Sequence, residues 1–310
     1  MQIAMVGLGR MGGNMVKRLE QNGHRIVAYD VDPNLAATLA EELDAVSAAE
    51  SLTDLISQMQ VPRAIWLMVP HQYVDDTVQA LLEAGIEAGD LIIDGGNSNY
   101  KEAIRRSSEL ADKGIQFSDC GTSGGVWGLK NGYSLMIGGE ERAIAHIAPA
   151  LTSLASNDGK GWGHVGPVGS GHYVKMVHNG IEYGMMQAFA EGFELMHAKE
   201  EFDLDMHQIS RVWQHGSVVS SWLLDLTADA LEQDGDLSSL SDWMDDSGEG
   251  RWTINESVDL GIPAPVLTLA LQMRFRSRQS DLFSGKIVNA MRAGFGGHAI
   301  KAADTAGEEQ

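Results

Sequence analysis

Residues 175 to 183 read Lys-Met-Val-His-Asn-Gly-Ile-Glu-Tyr, and the polar members Lys175, His178, Asn179, Glu182 and Tyr183 stand at i, i+3, i+4, i+7 and i+8. On an α-helix those offsets fall within an arc of roughly 140° at about 100° per residue. That spacing usually carries leucine and valine. Here it brings an amine, an imidazole, an amide, a carboxylate and a phenol to one face, five groups able to donate, accept or move protons. Such a face suits the wall of an active site. The competing reading is an ordinary amphipathic helix, with this polar face in water and Val174, Val177 and Ile181 supplying the apolar side.

Near the N-terminus a second group of residues points to a ligand. Gly7-Leu8-Gly9-Arg10-Met11-Gly12 fits G-x-G-x-x-G, directly after a short apolar run and at the start of a helical pattern. The first glycine permits a tight turn, the second lets the backbone approach a pyrophosphate, and the third lets helix pack on strand. The helix N-terminus adds free N–H groups and partial positive charge for the phosphates. Asp30 ends the second predicted strand, where a carboxylate can accept hydrogen bonds from the adenosine ribose hydroxyls and repel a 2′-phosphate. Asp30-Val31-Asp32 offers two acids and no arginine, so the expected cofactor is NAD rather than NADP. Asp32 also suits the N-cap of a helix entered through Pro33. The candidate cofactor contacts are Gly7, Leu8, Gly9, Arg10, Met11, Gly12 and Asp30, joined by Met68, Val69 and Asn97. The alternative is a structural turn in a Rossmann domain that binds nothing.

Positioning these residues calls for two domains, since a chain of 310 residues exceeds one small core. The first part alternates strand and helix patterns, with strands at 3–7, 25–30, 64–70, 91–94, 115–119 and 134–138 and helices between them, for example at 74–84. That order implies an α/β fold with a parallel, doubly wound Rossmann-type sheet. The glycine-rich stretch 156–172, which contains Pro167, reads as the joint before the helix that carries Lys175. After it strand signals nearly vanish, and helical stretches run to about Arg292 with breaks at 234–236, 247–250 and 261–265. The expected division is a dinucleotide-binding domain over 1–165 and an all-helical domain over 166–310 for substrate binding and dimerisation. The final ADTAGEEQ is polar and expected to be mobile.

A net charge of −21 argues against nucleic acid and anionic membranes as partners. If the substrate is an anion, the global field opposes it, and a local cluster drawn from Lys175, Arg274, Arg276, Arg278 and Arg292 must overcome that field. No apolar run is long enough for a membrane-spanning helix, and the N-terminus lacks the basic region and cleavage-like end of a signal peptide. Cys120 is the sole cysteine, which fits a reducing compartment, so a cytoplasmic location is expected. His146, His164 and His172 lack ligand spacing, and no metal is expected.

Three more segments now join the argument: Asp94-Gly-Gly-Asn97-Ser98, Ser123-Gly124-Gly125 and Gly169-Ser-Gly171-His-Tyr-Val-Lys175. Together with the helix motif they resemble the decarboxylating 6-phosphogluconate dehydrogenases. The resemblance runs from Gly7 to His298 and is most specific in GSGHYVKMVHNGIEYG at 169–184. The wider β-hydroxyacid dehydrogenase superfamily shares the glycine motif, the Ser-Gly-Gly and the lysine. His178-Asn179 followed by Glu182-Tyr183 is similar to the 6-phosphogluconate branch, and the length and Asp30 resemble its short-chain, NAD-preferring members. The resemblance implies oxidation and decarboxylation of 6-phosphogluconate to ribulose 5-phosphate and CO2. It makes Lys175 the general base and later acid, and Glu182 the proton donor to C1. Asn97, Ser123, Gly124, Gly125, His178 and Asn179 would hold the sugar hydroxyls and the carboxylate. Tyr183 and Arg274 would hold the phosphate, Arg274 by a loose match. Arg292 and His298 would reach the site from the C-terminal tail of a second copy, which requires a homodimer or higher homo-oligomer. One departure concerns Ser247 and Glu249, which fall where long-chain members carry phosphate-contacting residues; Arg251 is the nearby cation available to compensate. Arg276 and Arg278 are expected to face solvent.

The chemistry fits these residue types. Oxidising a secondary alcohol requires a base for the hydroxyl proton, and a lysine serves if burial or nearby cations lower its pKa. A β-keto acid loses CO2 once its ketone oxygen is polarised, which the newly protonated lysine can do without a metal. The resulting enediol needs a proton at C1, and Glu182 lies two helical turns from Lys175 on the same face. Two rivals stand beside this reading. One is a β-hydroxyacid dehydrogenase acting on an unphosphorylated 3-hydroxy acid. The other is a dinucleotide-binding scaffold without catalysis, against which the presence of Lys175 counts.

Overall fold

The computed structural model describes residues 1–296. Strand and helix alternate from the start: β1 (Gln2–Val6), α1 (Arg10–Gln21), β2 (Arg25–Tyr29), α2 (Pro33–Glu42), β3 (Val46–Ala48), α3 (Leu52–Gln58), β4 (Ala64–Leu67), α4 (Val74–Ala84), β5 (Leu91–Asp94) and α5 (Tyr100–Ala111). The alternation continues through β6 (Gln116–Ser123), α6 (Gly128–Asn131), β7 (Ser134–Gly138), α7 (Glu141–Leu154) and β8 (Trp162–Gly166). Helices follow: α8 (Ser170–His197), α9 (Met206–Trp213), α10 (Trp222–Gln233), α11 (Glu249–Asp259), α12 (Pro265–Ser277) and α13 (Phe283–Gly296).

The eight strands form one sheet in the order β3-β2-β1-β4-β5-β6-β7-β8. Every pairing is parallel except β6 with β7. Ile3 and Met5 enter one apolar core, while Ala4 and Val6 enter the other, so both sheet faces are covered. This is the expected α/β, Rossmann-type sheet with a helical C-terminal region. Chain order reverses between β1 and β4, which opens a crevice at the carboxyl ends of those strands. Asp32 caps α2 by accepting from Asn34 N–H, with Pro33 in the first turn. Among the described residues no helix is long and apolar enough to cross a membrane.

Two strands were not foreseen in the sequence. β3 has three residues, too few to display an alternation. β8 lies inside the stretch read as a joint, where Leu135 pairs with Trp162 and Ile137 with His164. Pairing at a sheet edge is made by backbone groups, so a glycine-rich segment can join the ladder without a strand-like composition.

The described chain falls into two compact units: Met1–Glu182 with Glu249–Ile262, and Tyr183–Gly248 with the residues from Pro263 on. The sequence reading set the division at 165/166; the first unit keeps the N-terminal half of α8 and the whole of α11. Thr253 Oγ1 donates to the Met176 carbonyl at 2.8 Å, and Tyr100 donates its phenol to Glu256 at 2.8 Å.

The start of α8 rests on the sheet through Asp119 of β6. This fully buried carboxylate accepts from Gly169 N–H at 2.6 Å and from His172 N–H at 2.7 Å. Its charge also complements the helix N-terminus. A Cβ at Gly171 would stand 2.4 Å from the Asp119 carbonyl oxygen and 2.5 Å from that of Met136, so only glycine lets the helix settle on the strands. Replacing Asp119 by asparagine removes the charge and one of the two acceptors. We expect Asp119→Asn to lower stability by about 1.5–3 kcal/mol in urea unfolding; an unchanged midpoint would show that α8 is anchored by packing alone.

Candidate active site

The glycine turn between β1 and α1 has the shape its sequence predicts. Gly7 takes φ +94°, and a Cβ at Gly12 would lie 2.0 Å from the Gly7 carbonyl oxygen. A Cβ at Gly7 would stand 2.7 Å from the Met68 carbonyl oxygen and 3.1 Å from a Val69 methyl, so Met68 and Val69 border the turn. Nothing lies within 4 Å of a Cβ built at Gly9, and no side chain caps α1 above it. Exposed Arg10 and half-buried Met11 open the helix, and Leu8 is buried. Asp30 is fixed by the same turn: its Oδ2 accepts from Leu8 N–H at 2.6 Å and its Oδ1 from Asp32 N–H at 2.9 Å. Each oxygen retains acceptor capacity for a hydroxyl. An open helix N-terminus beside a fixed carboxylate fits a dinucleotide pyrophosphate and a ribose.

On α8 Lys175, Asn179 and Tyr183 of the polar face are buried, while His178 and Glu182 are half-exposed. Lys175 is 8% exposed and Asn179 9%, whereas Val174 is 36% exposed and Ile181 50%. This inversion decides between the two readings of the run in favour of a site wall. Lys175 Nζ donates to Asn179 Oδ1 at 2.5 Å and lies 3.5 Å from His178 Nδ1. His178 Nδ1 is 3.0 Å from Asn179 Oδ1 and 3.9 Å from Glu182 Oε2. Burial pulls the Lys175 pKa below the ordinary lysine value, partly opposed by the carboxylates of Glu249 and Glu182. An amine so placed can accept a proton from an alcohol. Glu182 is half-buried, open enough to exchange protons with solvent.

The lysine helix rests directly on the sheet here. A Cβ at Gly121 of β6 would stand 2.4 Å from Lys175 Cβ. Ser123, two residues on and on the same strand face, therefore lies one step beyond the lysine. Gly124 and Gly125 follow at φ +128° and +50°, turning the chain where side-chain-bearing residues rarely go. Asn97 follows β5 and is held from beneath. Asp94 accepts from Gly96 N–H at 3.1 Å and meets Arg106 at 3.3 Å and His172 of α8 at 3.5 Å. Burial opposes the Asp94 charge, yet His172 and Arg106 outweigh it and hold the carboxyl below its ordinary value. The same pairing raises His172 against its own burial. The pair ties the Asn97 turn to the first turn of the lysine helix.

Glu249 marks the departure noted in the sequence, standing where long-chain members carry a phosphate-contacting residue. It is 3% exposed at the start of α11, with Asn179 Nδ2 donating to its carboxylate at short range and Asn97 Nδ2 at 3.4 Å. No motif announces this, because the contact joins residues far apart in the chain. Ser247 lies in the second unit against Tyr183: its N–H donates to the phenol oxygen at 3.3 Å, and the two hydroxyl oxygens are 3.5 Å apart. Arg274 of α12 stacks on the same ring, its guanidinium carbon 3.7 Å from the centroid, and donates to the Asp245 carbonyl at 2.6 Å. Tyr183, Ser247 and Arg274 thus gather hydroxyls and a cation able to hold an anion.

The remaining candidates separate. Arg278 does not face solvent freely: it pairs with Asp246 at 3.0 Å and donates to the Met244 carbonyl at 2.5 Å. Arg276 is exposed and donates to the Gln279 carbonyl. Arg292 is exposed on α13, and His298 lies outside the described residues. Burial pushes the Cys120 thiol up to about 12, so it is no nucleophile.

Comparison with known proteins adds independent findings. Residues 2–166 match the model of the NAD binding domain of 6-phosphogluconate dehydrogenase, and residues 171–284 match that of the 6-phosphogluconate dehydrogenase C-terminal domain. The NAD(+)-dependent, decarboxylating 6-phosphogluconate dehydrogenase of Haloferax volcanii is 39% identical over 305 residues, covering 98% of this chain and 100% of that protein. YqeC of Bacillus subtilis, by name a candidate 6-phosphogluconate dehydrogenase, is 43% identical over 303 residues, covering 97% of this chain and 99% of its own. The Plasmodium falciparum 6-phosphogluconate dehydrogenase, solved apo, with NADP+ and with 6-phosphogluconate, aligns with a TM-score of 0.82 at 28% identity. That alignment covers 98% of this chain and 67% of the other.

The buried amine gives a direct prediction. Competitive acetylation across pH, read on the peptide carrying Lys175, should return a pKa below the ordinary lysine value of about 10.4. A value at or above it would mean that water reaches the amine or that the carboxylates outweigh burial.

Proposed function

The chain belongs to the 6-phosphogluconate dehydrogenase family, and from that premise we propose that it oxidises and decarboxylates 6-phosphogluconate to ribulose 5-phosphate and CO2 with NAD as hydride acceptor. The observation that carries this reading is the buried part of the polar face of α8, which holds Lys175 in a desolvated, hydrogen-bonded position. When bound, the nicotinamide supplies the site for the hydride leaving C3. Lys175, neutral at that moment, takes the C3 hydroxyl proton, so a ketone forms β to the carboxylate. The protonated lysine then passes its proton to the ketone oxygen as the C1–C2 bond of the sugar acid breaks and CO2 leaves, so that an enediol forms. The carbon that lost the carboxylate, which is C1 of ribulose 5-phosphate, takes a proton from Glu182, and the enediol hydroxyl at C2 of the product gives its proton back to Lys175 as the ketone re-forms. Asn97, Ser123, Gly124, Gly125, His178 and Asn179 hold the hydroxyls and carboxylate through which the reacting carbon is oriented.

Three further parts belong to this reading. For the cofactor, the Haloferax relative is named as NAD(+)-dependent, whereas the Plasmodium structure contains NADP+. Asp30, held by Leu8 N–H and followed by Val31 and Asp32, supports NAD here, since a 2′-phosphate would meet two acids. For the phosphate, Tyr183 and Arg274 supply the grip from their own chain. A second copy completes it through Arg292 and His298, making the active form a homodimer or higher homo-oligomer. Phe283, Ile287, Val288 and Met291 are exposed on α13 beside Arg292, an apolar stripe that supports such pairing. The single buried cysteine is in keeping with a cytoplasmic setting.

The test is reduced-nicotinamide absorbance with 6-phosphogluconate, together with CO2 release. We expect one CO2 per NAD reduced, a preference for NAD over NADP, and a loss of about 10²–10⁴ in kcat for Lys175→Ala. Turnover only on unphosphorylated 3-hydroxy acids would replace the substrate, and cofactor binding without turnover on any 3-hydroxy acid would leave a scaffold. Arg274→Ala should raise KM for 6-phosphogluconate about tenfold or more while kcat changes less; an unchanged KM would remove Arg274 from the phosphate grip.

A further inference from the structure

We propose that Glu249 is the positioning carboxylate of this site: it fixes the orientation of the Asn97 and Asn179 amides and, through Asn179, aims Lys175. The proposal deepens the functional reading above and rests on it. An ionised carboxylate accepts hydrogen bonds and donates none, whereas an amide has a donor end and an acceptor end. Asn97 Nδ2 lies 3.4 Å from Glu249 Oε2, and Asn179 Nδ2 donates to that same oxygen. Both amides therefore turn their NH2 groups to Glu249. The Asn179 carbonyl oxygen is left to accept from Lys175 Nζ at 2.5 Å, and that of Asn97 is left to accept from a hydroxyl of the substrate. A glutamine at 249 can either donate or accept, so it would release both amides from this orientation at nearly unchanged volume.

The carboxylate sits on a rigid base. Glu249 opens α11, where a negative charge complements the helix N-terminus. Thr253, one turn on, donates to the Met176 carbonyl at 2.8 Å and fixes α11 against the lysine helix. A Cβ at Gly180 would stand 2.7 Å from Thr253 Cγ2, so the two helices cross closely here. Among the described residues, the charged or titratable groups set against Lys175 include Glu249 from α11 and His178 and Glu182 from its own helix. On the strand beneath, Asp119 is engaged by the α8 N-terminus. Arg251 of α11 is exposed. Glu249 is accordingly a buried carboxylate brought to the amine from outside its own helix, and it favours the charged lysine.

The experiment is Glu249→Gln with Glu249→Asp beside it, read by competitive acetylation of Lys175 across pH in the full-length protein. With the carboxylate gone, the Lys175 pKa should fall by about one unit, a typical effect of a neighbouring opposite charge. Glu249→Asp keeps the charge and should hold the value near wild type. In the assay, the acid limb of kcat/KM should move to lower pH in Glu249→Gln by the same amount, with at least a tenfold loss at the plateau. A Lys175 pKa that stays in place or rises in Glu249→Gln overturns the proposal. Should that variant fail to fold, an aspartate variant with the pKa displaced downward as far as about one unit overturns it instead. Acetylation needs no substrate, so a wild type inert towards 6-phosphogluconate would defeat the functional reading and leave this test standing.

Discussion

An ammonium group removed from water must find partners or give up its charge, and the first unit is arranged around that constraint at Lys175. Charge and solvation oppose each other there: burial favours the neutral amine, while Glu249 and Glu182 favour the charged one. A group that takes up a proton and later lends it back works best between those limits, which suits Lys175 to the role proposed for it. The helix that carries it is turned inside out, with valine and isoleucine exposed and lysine and asparagine buried. With Val174 and Ile181 exposed, packing of those side chains does not hold this part of the helix. Asp119 beneath its N-terminus, Gly121 and Gly171 where backbone meets backbone, and Thr253 from α11 hold it instead.

The same economy of contact explains the glycines after β1. The turn after β1 closes so tightly that a side chain at Gly12 would overlap the Gly7 carbonyl. The space saved leaves the N-terminus of α1 open beside Asp30. Asp94 then serves both halves of the site, because it holds the turn before Asn97 and meets His172 on the lysine helix. The turn that carries Asn97 and the helix that carries Lys175 therefore share one buried charge cluster rather than two independent supports.

Features set by short-range sterics or by spacing were legible in the sequence. The glycine turn, the carboxylate after β2, the N-cap at Asp32 and the polar stripe on α8 are all of this kind. So was the fold class, since alternating strand and helix patterns leave few topologies. What escaped was set by contacts across the chain. β8 pairs through backbone alone, and its composition reads as a loop. Glu249 follows an acidic, polar stretch that resembles a solvated surface, and nothing local says that α11 returns to the lysine helix. Arg278 was expected in solvent because its partner Asp246 lies more than thirty positions earlier.

The central claim is that the amine of Lys175 is the group whose ionisation governs turnover. The most direct measurement is the pH profile of kcat/KM for 6-phosphogluconate set against the acetylation titration of Lys175 in the same free enzyme. The account predicts one value: the acid limb of the profile coincides with the Lys175 titration, both below the ordinary lysine range. An acid limb that departs clearly from the Lys175 titration would assign the proton to another group and contradict the account.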